Sequence, residues 1–442
     1  MPTIPETFVQ WVRAAAPFVH AFRGRTFVIA FGGEVVADGR FAEIVHDLNL
    51  LASLGVRLVL VHGTRPQIDD LLEERGIRPR YVRGIRVTDE ATLKCVKEAN
   101  GRVRVEVEAL LSMGLPNSPM ANATINVASG NFVVARPRGV VEGVDLQYSG
   151  EVRKINAEML RARLNDGEIA LVSPLGYSPT GETFNLTLED VAGTTAAALT
   201  ADKLIFLLEG PGVTNAKGQL LSELTVSDAE KLMRRPTRLT TDVQLYLPPA
   251  IHAVKNGVRR AHFIDRDREG ALLLELFSRE GVGSMLTQDP LETLRPARIE
   301  DAGGILRVIG PLEREGVLVK RGRELLEREI DHFFVVEHDG IVIGCGALYP
   351  FPESKAAELA CLAVLPDRRD AGVGERLLEL IEDEARKRRL ARLFVLTTRA
   401  THWFIERGFS EAGVDQLPAK KQMFYNLQRN SKVLTKSLKG GP

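Results

Sequence analysis

The stretch that most limits how this chain can fold is "LAVLPDRRDAGVGERLLELIEDEA", residues 362–385. An apolar run stops at Pro366, a short segment with two glycines turns the chain, and a leucine-rich amphipathic helix follows. Glycines at 372 and 374 clear side chains away from the backbone N–H groups, and the helix beyond them presents the positive end of its dipole. A strand, turn and helix in that order make a cradle for a pyrophosphate.

The rest of the chain divides around this motif. At 442 residues it exceeds what one hydrophobic core serves, and two domains are expected. From residue 26 onward short apolar strands alternate with helical segments: "TFVIAF", "FAEIVHDLNLLASLG", "VRLVLVHG", "RPQIDDLLEERG" and, later, "EIALVSPLG", "EDVAGTTAAALTA", "DKLIFLLE" and "RRAHFID". This alternation predicts parallel strands with crossover helices in a three-layer α/β domain over residues 1–286. "TQDPLETLRPARIED" holds two prolines and no apolar period, so residues 287–296 read as a linker. Beyond it, "FFVVEHDGIVIGCGALYPF" reads as a hairpin turning on Asp339-Gly340. The strand "AAELACLAVLP", the glycine turn with its helix, "RLFVLTT", "ATHWFIERG" and a last strand near "KKQMFYNL" complete an α+β domain over 297–442.

Composition narrows the partners. Hydrophobic residues at 44% and charged residues at 26% describe a packed protein, and 58 basic against 58 acidic residues leave no broad field for nucleic acid. Cys95, Cys345 and Cys361 are widely spaced in apolar text and read as reduced thiols of a cytoplasmic protein, not as disulfides or metal ligands. No window holds the roughly 18 uncharged apolar residues of a membrane span, and the N-terminus lacks the parts of a signal peptide. Phe8 to Phe22 has helical apolar spacing, suited to core packing or to an oligomer contact rather than to a membrane.

The glycine turn, taken with the strand before it, the helix and "RLFVLTT" after it and the closing "WFIERGF", resembles the RxxGxG loop of the GNAT acetyltransferases. The resemblance implies that Arg369, Asp370, Ala371, Gly372, Val373 and Gly374, with Leu362 and Val364 on the strand, hold the cosubstrate acetyl-CoA, and it implies no metal. The first domain resembles the amino acid kinase family, through "VIAFGGEVV", "VHGTRPQID", "GIRVTDEAT" and "FNLTLEDVAGTTAAALTADKLIFLLEGPGV". Phosphoryl transfer needs cations around the moving phosphate. Here Ala30 stands where that family has a lysine, Glu189 and Thr187 replace its aspartate and second asparagine, and Pro248-Pro249 replace a later lysine. The fold is expected without the kinase chemistry.

Together the two resemble the bacterial N-acetylglutamate synthases, over essentially the whole chain. That resemblance implies transfer of acetyl to the α-amino group of L-glutamate, inhibition by L-arginine and a homo-hexamer. Glu358, opening "ELACLAV", matches the general base; backbone N–H groups around Cys361 and Leu362 would meet the thioester oxygen; Thr397 and Tyr425 compete as the acid. Two substrate carboxylates call for two cationic grips, and the resemblance places Arg321 at one and Arg429 with Ser431 at the other. "LLLELFSREGVG" resembles an arginine-site segment, with Glu275 for the guanidinium and Gly281 to Gly283 for the backbone, although Glu275 could equally pair inside its own helix. Rival expectations are a GNAT enzyme for another small amine, a regulator that binds acetyl-CoA or arginine without turnover, and a working kinase fused to an acetyltransferase.

Overall fold

The computed structural model describes residues 6–236, 239–278, 280–423, 425 and 431–438, with the backbone alone at Glu6, Thr7, Asp370 and Ala371. Its contacts separate two units, Met1–Asp289 and Pro290–Pro442.

The first unit is built on an eight-stranded sheet. Its order is Glu223–Thr225, Ser284–Thr287, Arg260–Asp265, Lys203–Leu208, Thr26–Phe31, Arg57–His62, Ile169–Val172 and Val127–Ser129. Successive side chains leave a strand on opposite faces, so each continuous apolar run feeds two cores. Val28, Ala30, Leu204 and Phe206 pack beneath the helices Leu188–Leu199 and Thr241–Lys255. Phe27, Ile29, Ile205 and Leu207 pack beneath Phe41–Ser53, Glu90–Leu111 and Ala271–Phe277. Three layers result, as the alternation predicts. One pairing departs from the parallel expectation: Ser284–Thr287 runs antiparallel to Arg260–Asp265. A four-stranded side sheet, with Val133–Pro137, Gly150–Ile155, Leu175–Tyr177 and Thr183–Asn185, is an addition that the strand–helix alternation does not predict.

The second unit is a seven-stranded sheet in the order Glu292–Pro296, Phe333–His338, Ile341–Phe351, Ala356–Val364, Arg392–Thr397, Lys432–Ser437 and Ser410–Ala412. The helix Val373–Lys387 covers one face through Leu377, Leu378 and Ile381, and Ala302–Arg314 covers the other through Ile305, Val308 and Ile309. Two expectations are corrected here. The supposed linker contributes Glu292–Pro296, which pairs along Phe333–His338 and is pinned by Arg295 to Asp301 (2.7 Å) and to Glu337. An edge strand held by ion pairs needs no apolar period, which is why it reads as a loop. The segment 419–423 is a short helix rather than the last strand, which lies at Lys432–Ser437. The hairpin turn is as expected, with Asp339 and Gly340 at φ 50° and 76°.

Among the described residues no helix is long and apolar enough to cross a membrane, and no group of three or more His, Cys, Asp or Glu is placed to hold a metal.

Candidate functional site

All strand neighbours in the second sheet are antiparallel except one pair. Ala356–Val364 runs parallel to Arg392–Thr397, and only Ala356, Ala357 and Glu358 are in register with Arg392, Leu393 and Phe394. Beyond Glu358 the two strands diverge. On its other side the same strand is bulged: Gly344 pairs with Val364 and Cys345 with Ala363, but Ala347 already pairs with Ala360. Cys361, in the bulge, has φ +52°, a left-handed conformation that a side chain rarely adopts, and such a bulge re-aims the backbone of Cys361 and Leu362. The Cys345 thiol donates to the Cys361 carbonyl at 3.6 Å.

Glu358 therefore sits where the parallel pairing stops. It is buried, and its Oε2 is 2.6 Å from the Lys421 ammonium. Arg321 reaches the same place from the segment before the helix Arg323–Arg328. Its backbone N–H donates to Glu313 (2.8 Å), and its guanidinium Nη1 donates to the Val319 carbonyl at 3.3 Å. Burial works against its charge, but Cys361, Tyr349 and Glu358 outweigh that and raise its pKa. Tyr349 faces Glu358 across the sheet and donates to Glu329 at 2.7 Å. Burial pushes the Cys361 thiol up to about 11, with Arg321 pulling the other way, so the thiol is not a nucleophile near neutrality.

Downstream, Gly372 caps the helix Val373–Lys387 in the left-handed conformation (φ 70°, ψ 10°), which glycine adopts without strain. A Cβ on Gly374 would stand 3.3 Å from the Trp403 ring. The helix start is thus bare backbone between the strand carrying Leu362 and Val364 and the exposed Arg369, a cradle that side chains would fill and that suits a pyrophosphate. The side chains of Asp370 and Ala371 lie outside the described residues, as does Arg429.

The two acid candidates separate. Thr397, buried at its strand end, accepts from the N–H groups of Arg399 (3.3 Å) and Ala400 (2.9 Å), and among the described residues its own proton has no acceptor. Tyr425 donates its proton to the Ser431 carbonyl at 2.6 Å.

In the first unit, the cleft where a kinase would work is lined by Gly32, Gly33, Gly63, Arg65, Glu189 and Arg266. Ala30 is enclosed in the core and ends short of it. Burial raises the pKa of Glu189, whose nearest cation is Arg65 at 3.9 Å. Pro249 packs so closely on Gly193 that a Cβ there would lie 2.9 Å from it, and among the described residues lining the cleft there is no lysine. Glu275 makes its contacts inside its own domain. Its Oε2 accepts from the N–H groups of Val282 (2.7 Å) and Gly283 (2.9 Å), and its Oε1 lies 2.7 Å from His262 Nδ1, so both oxygens already have a partner inside the domain. Gly281 and Gly283 are needed for this packing: a Cβ on Gly281 would stand 2.5 Å from Glu275 Oε2, and one on Gly283 would stand 2.2 Å from the Phe263 carbonyl.

The sequence missed Lys421 and Tyr349. Neither lies in a recognisable motif: pairing of adjacent strands brings Tyr349 to Glu358, and the short helix Ala419–Met423 brings Lys421.

A model of the amino acid kinase family matches residues 25–265, and one of the acetyltransferase (GNAT) family matches residues 305–409. The chain is 52% identical over 440 residues to an amino-acid acetyltransferase of Ralstonia nicotianae, covering 99% of this chain and 97% of that one. It is 51% identical over 432 residues to an amino-acid acetyltransferase of Pseudomonas putida, covering 98% and 99%. Among solved structures, N-acetylglutamate synthase from Neisseria gonorrhoeae complexed with coenzyme A and L-arginine matches with TM-score 0.90 at 38% identity, covering 98% of this chain and all of that one. The same relative complexed with coenzyme A and N-acetyl-glutamate matches with TM-score 0.63.

Proposed function

This chain belongs to the amino-acid acetyltransferases, and from that premise we propose that it moves the acetyl group of acetyl-CoA onto the α-amino group of L-glutamate, giving N-acetyl-L-glutamate and CoA. The observation that carries the substrate assignment is the convergence of Arg321 on Glu358 beside the diverging strands. A relative crystallised with coenzyme A and N-acetyl-glutamate supports it.

In this mechanism acetyl-CoA lays its diphosphate on Arg369 to Gly374 and its thioester along Leu362 and Val364. Arg321 holds one carboxylate of glutamate, and Arg429 with Ser431 holds the other. Glu358 takes a proton from the substrate ammonium, directly or through one water, and the freed lone pair attacks the thioester carbon. The oxygen that turns negative meets the backbone N–H groups of Cys361 and Leu362. As the intermediate collapses, nitrogen loses its second proton to water, the carbon–sulfur bond breaks, and the CoA thiolate takes a proton from Thr397 or water. The uncommitted hydroxyl proton supports Thr397 over Tyr425 as the acid.

The first unit, residues 1–286, serves regulation and assembly without phosphoryl transfer. L-Arginine acts as feedback inhibitor in the Glu275, Gly281 and Gly283 region, its guanidinium taking over one contact that Glu275 now makes. A relative complexed with L-arginine supports this. The protein works in the cytoplasm as a homo-oligomer, a hexamer, through the helix Glu6–Phe22, whose Phe8, Trp11 and Val12 are more than half exposed. The test is mass spectrometry of acetyl-CoA incubated with L-glutamate and the enzyme. N-acetyl-L-glutamate in equal amount to free CoA is expected, with yield falling as L-arginine is added, and no acetylated glutamate would sink the proposal.

A further inference from the structure

Lys421 is drawn to Glu358 by packing. It rides on the short helix Ala419–Met423, whose preceding turn buries Leu417 among Ala356, Phe394 and Val433, the same strand ends that position Glu358. Gln422 Nε2 ties that turn down by donating to the carbonyls of Asp415 (3.0 Å) and Leu417 (2.8 Å). The lysine ammonium thus meets Glu358 Oε2 at 2.6 Å with the two side chains only 26% and 12% exposed, while the neighbouring Lys420 pairs loosely with the exposed Glu353 at 3.6 Å.

The other groups around Glu358 do not replace it. Tyr349 gives its proton to Glu329, and the Cys361 thiol is uncharged near neutrality. Arg321 is the second cation, but in the proposed reaction its charge is taken by the substrate's own carboxylate. A carboxylate this enclosed needs an opposite charge beside it until it takes the proton. Lys421 engages Oε2, which leaves Oε1 as the oxygen for the amine or its water.

Resting on the assignment of Glu358 as the base, we propose that Lys421 is a positioning residue for acetyl transfer: it fixes Oε2, balances the carboxylate while Arg321 is occupied by substrate, and leaves Oε1 to receive the proton.

A double-mutant cycle on the full chain tests this, reading N-acetyl-L-glutamate formation for Lys421→Ala, Lys421→Arg, Glu358→Gln and the Lys421→Ala/Glu358→Gln pair. The expected result is a fall in kcat of about 10- to 100-fold for Lys421→Ala, a part of what a general base contributes, with KM for acetyl-CoA unchanged. Lys421→Arg should recover most of it, and added ethylammonium should partly rescue Lys421→Ala. In the Glu358→Gln background the lysine substitution should cost nothing more, because there is no base left to position. An unchanged kcat in Lys421→Ala, or the same fold loss with and without Glu358, overturns the proposal. If Glu358→Gln alone keeps the parent rate, the base assignment has failed instead, and the cycle separates the two failures.

Discussion

Replacing Glu275 with alanine tests whether that carboxylate is an internal tie. In the structure it takes two backbone N–H groups, from Val282 and Gly283, and faces His262. Lys203 Nζ is 3.0 Å from His262 Nε2, and an ammonium can only donate, so Nε2 accepts and the Nδ1 proton points at Glu275. Burial would raise the Glu275 carboxyl, but the hydrogen bond from His262 and the two backbone N–H groups prevail and hold it at about 2, below its ordinary 4.5. A displacement of that size corresponds to about 3 kcal/mol of stability. Stranding the two N–H groups by truncation points to a similar figure, at about 1–3 kcal/mol for each buried polar group left without a partner. For a domain of this size the first calorimetric transition should fall by about 6–12 °C. Because the folded value lies below the unfolded one, the gap between parent and variant should be full above pH 4.5 and close as pH falls toward 2. A transition within about 1 °C of the parent at pH 7 would refute the reasoning.

Arg321→Ala should raise KM for glutamate by about 10- to 150-fold, the equivalent of one charged hydrogen-bond grip, with KM for acetyl-CoA unmoved; steady-state kinetics decides. Arg321→Lys should recover little, since a planar fork is lost. Gly372→Ala forces a side chain into φ +70° at a cost of about 1–2 kcal/mol and should raise KM for acetyl-CoA several-fold, leaving KM for glutamate alone. Cys361→Ala should keep kcat within a few-fold, as expected of a thiol held up to about 11; an acetylated Cys361 in a quenched reaction would contradict it. Incubation with ATP and N-acetyl-L-glutamate should release no ADP, given Ala30, Glu189 and Pro248-Pro249.

Much of the fold was legible because its signals are local. Alternating apolar runs and helices predict the three-layer sheet, and two glycines ahead of a leucine-rich helix mark the turn into Val373–Lys387. Where stability comes from elsewhere the chain is opaque. Glu292–Pro296 is a strand because Arg295 meets Asp301 and Glu337, charges that only folding brings together. Gly281 and Gly283 stand out as a turn, but whether Glu275 faces a ligand or its own backbone depends on the Phe263 strand behind it. Glu358 is found from its strand, yet Lys421 arrives from 63 residues further on, through packing of Leu417, with no pattern to announce it.

The account stands or falls on the acceptor. Thiol release from acetyl-CoA should be followed with a panel of amino acids that includes L-glutamate and L-aspartate, for the parent and for Arg321→Ala. The account predicts that glutamate exceeds aspartate by about tenfold or more, the value of one correctly placed methylene, and that this preference collapses in Arg321→Ala. Equal rates across the panel, or a preference that survives loss of Arg321, would contradict it.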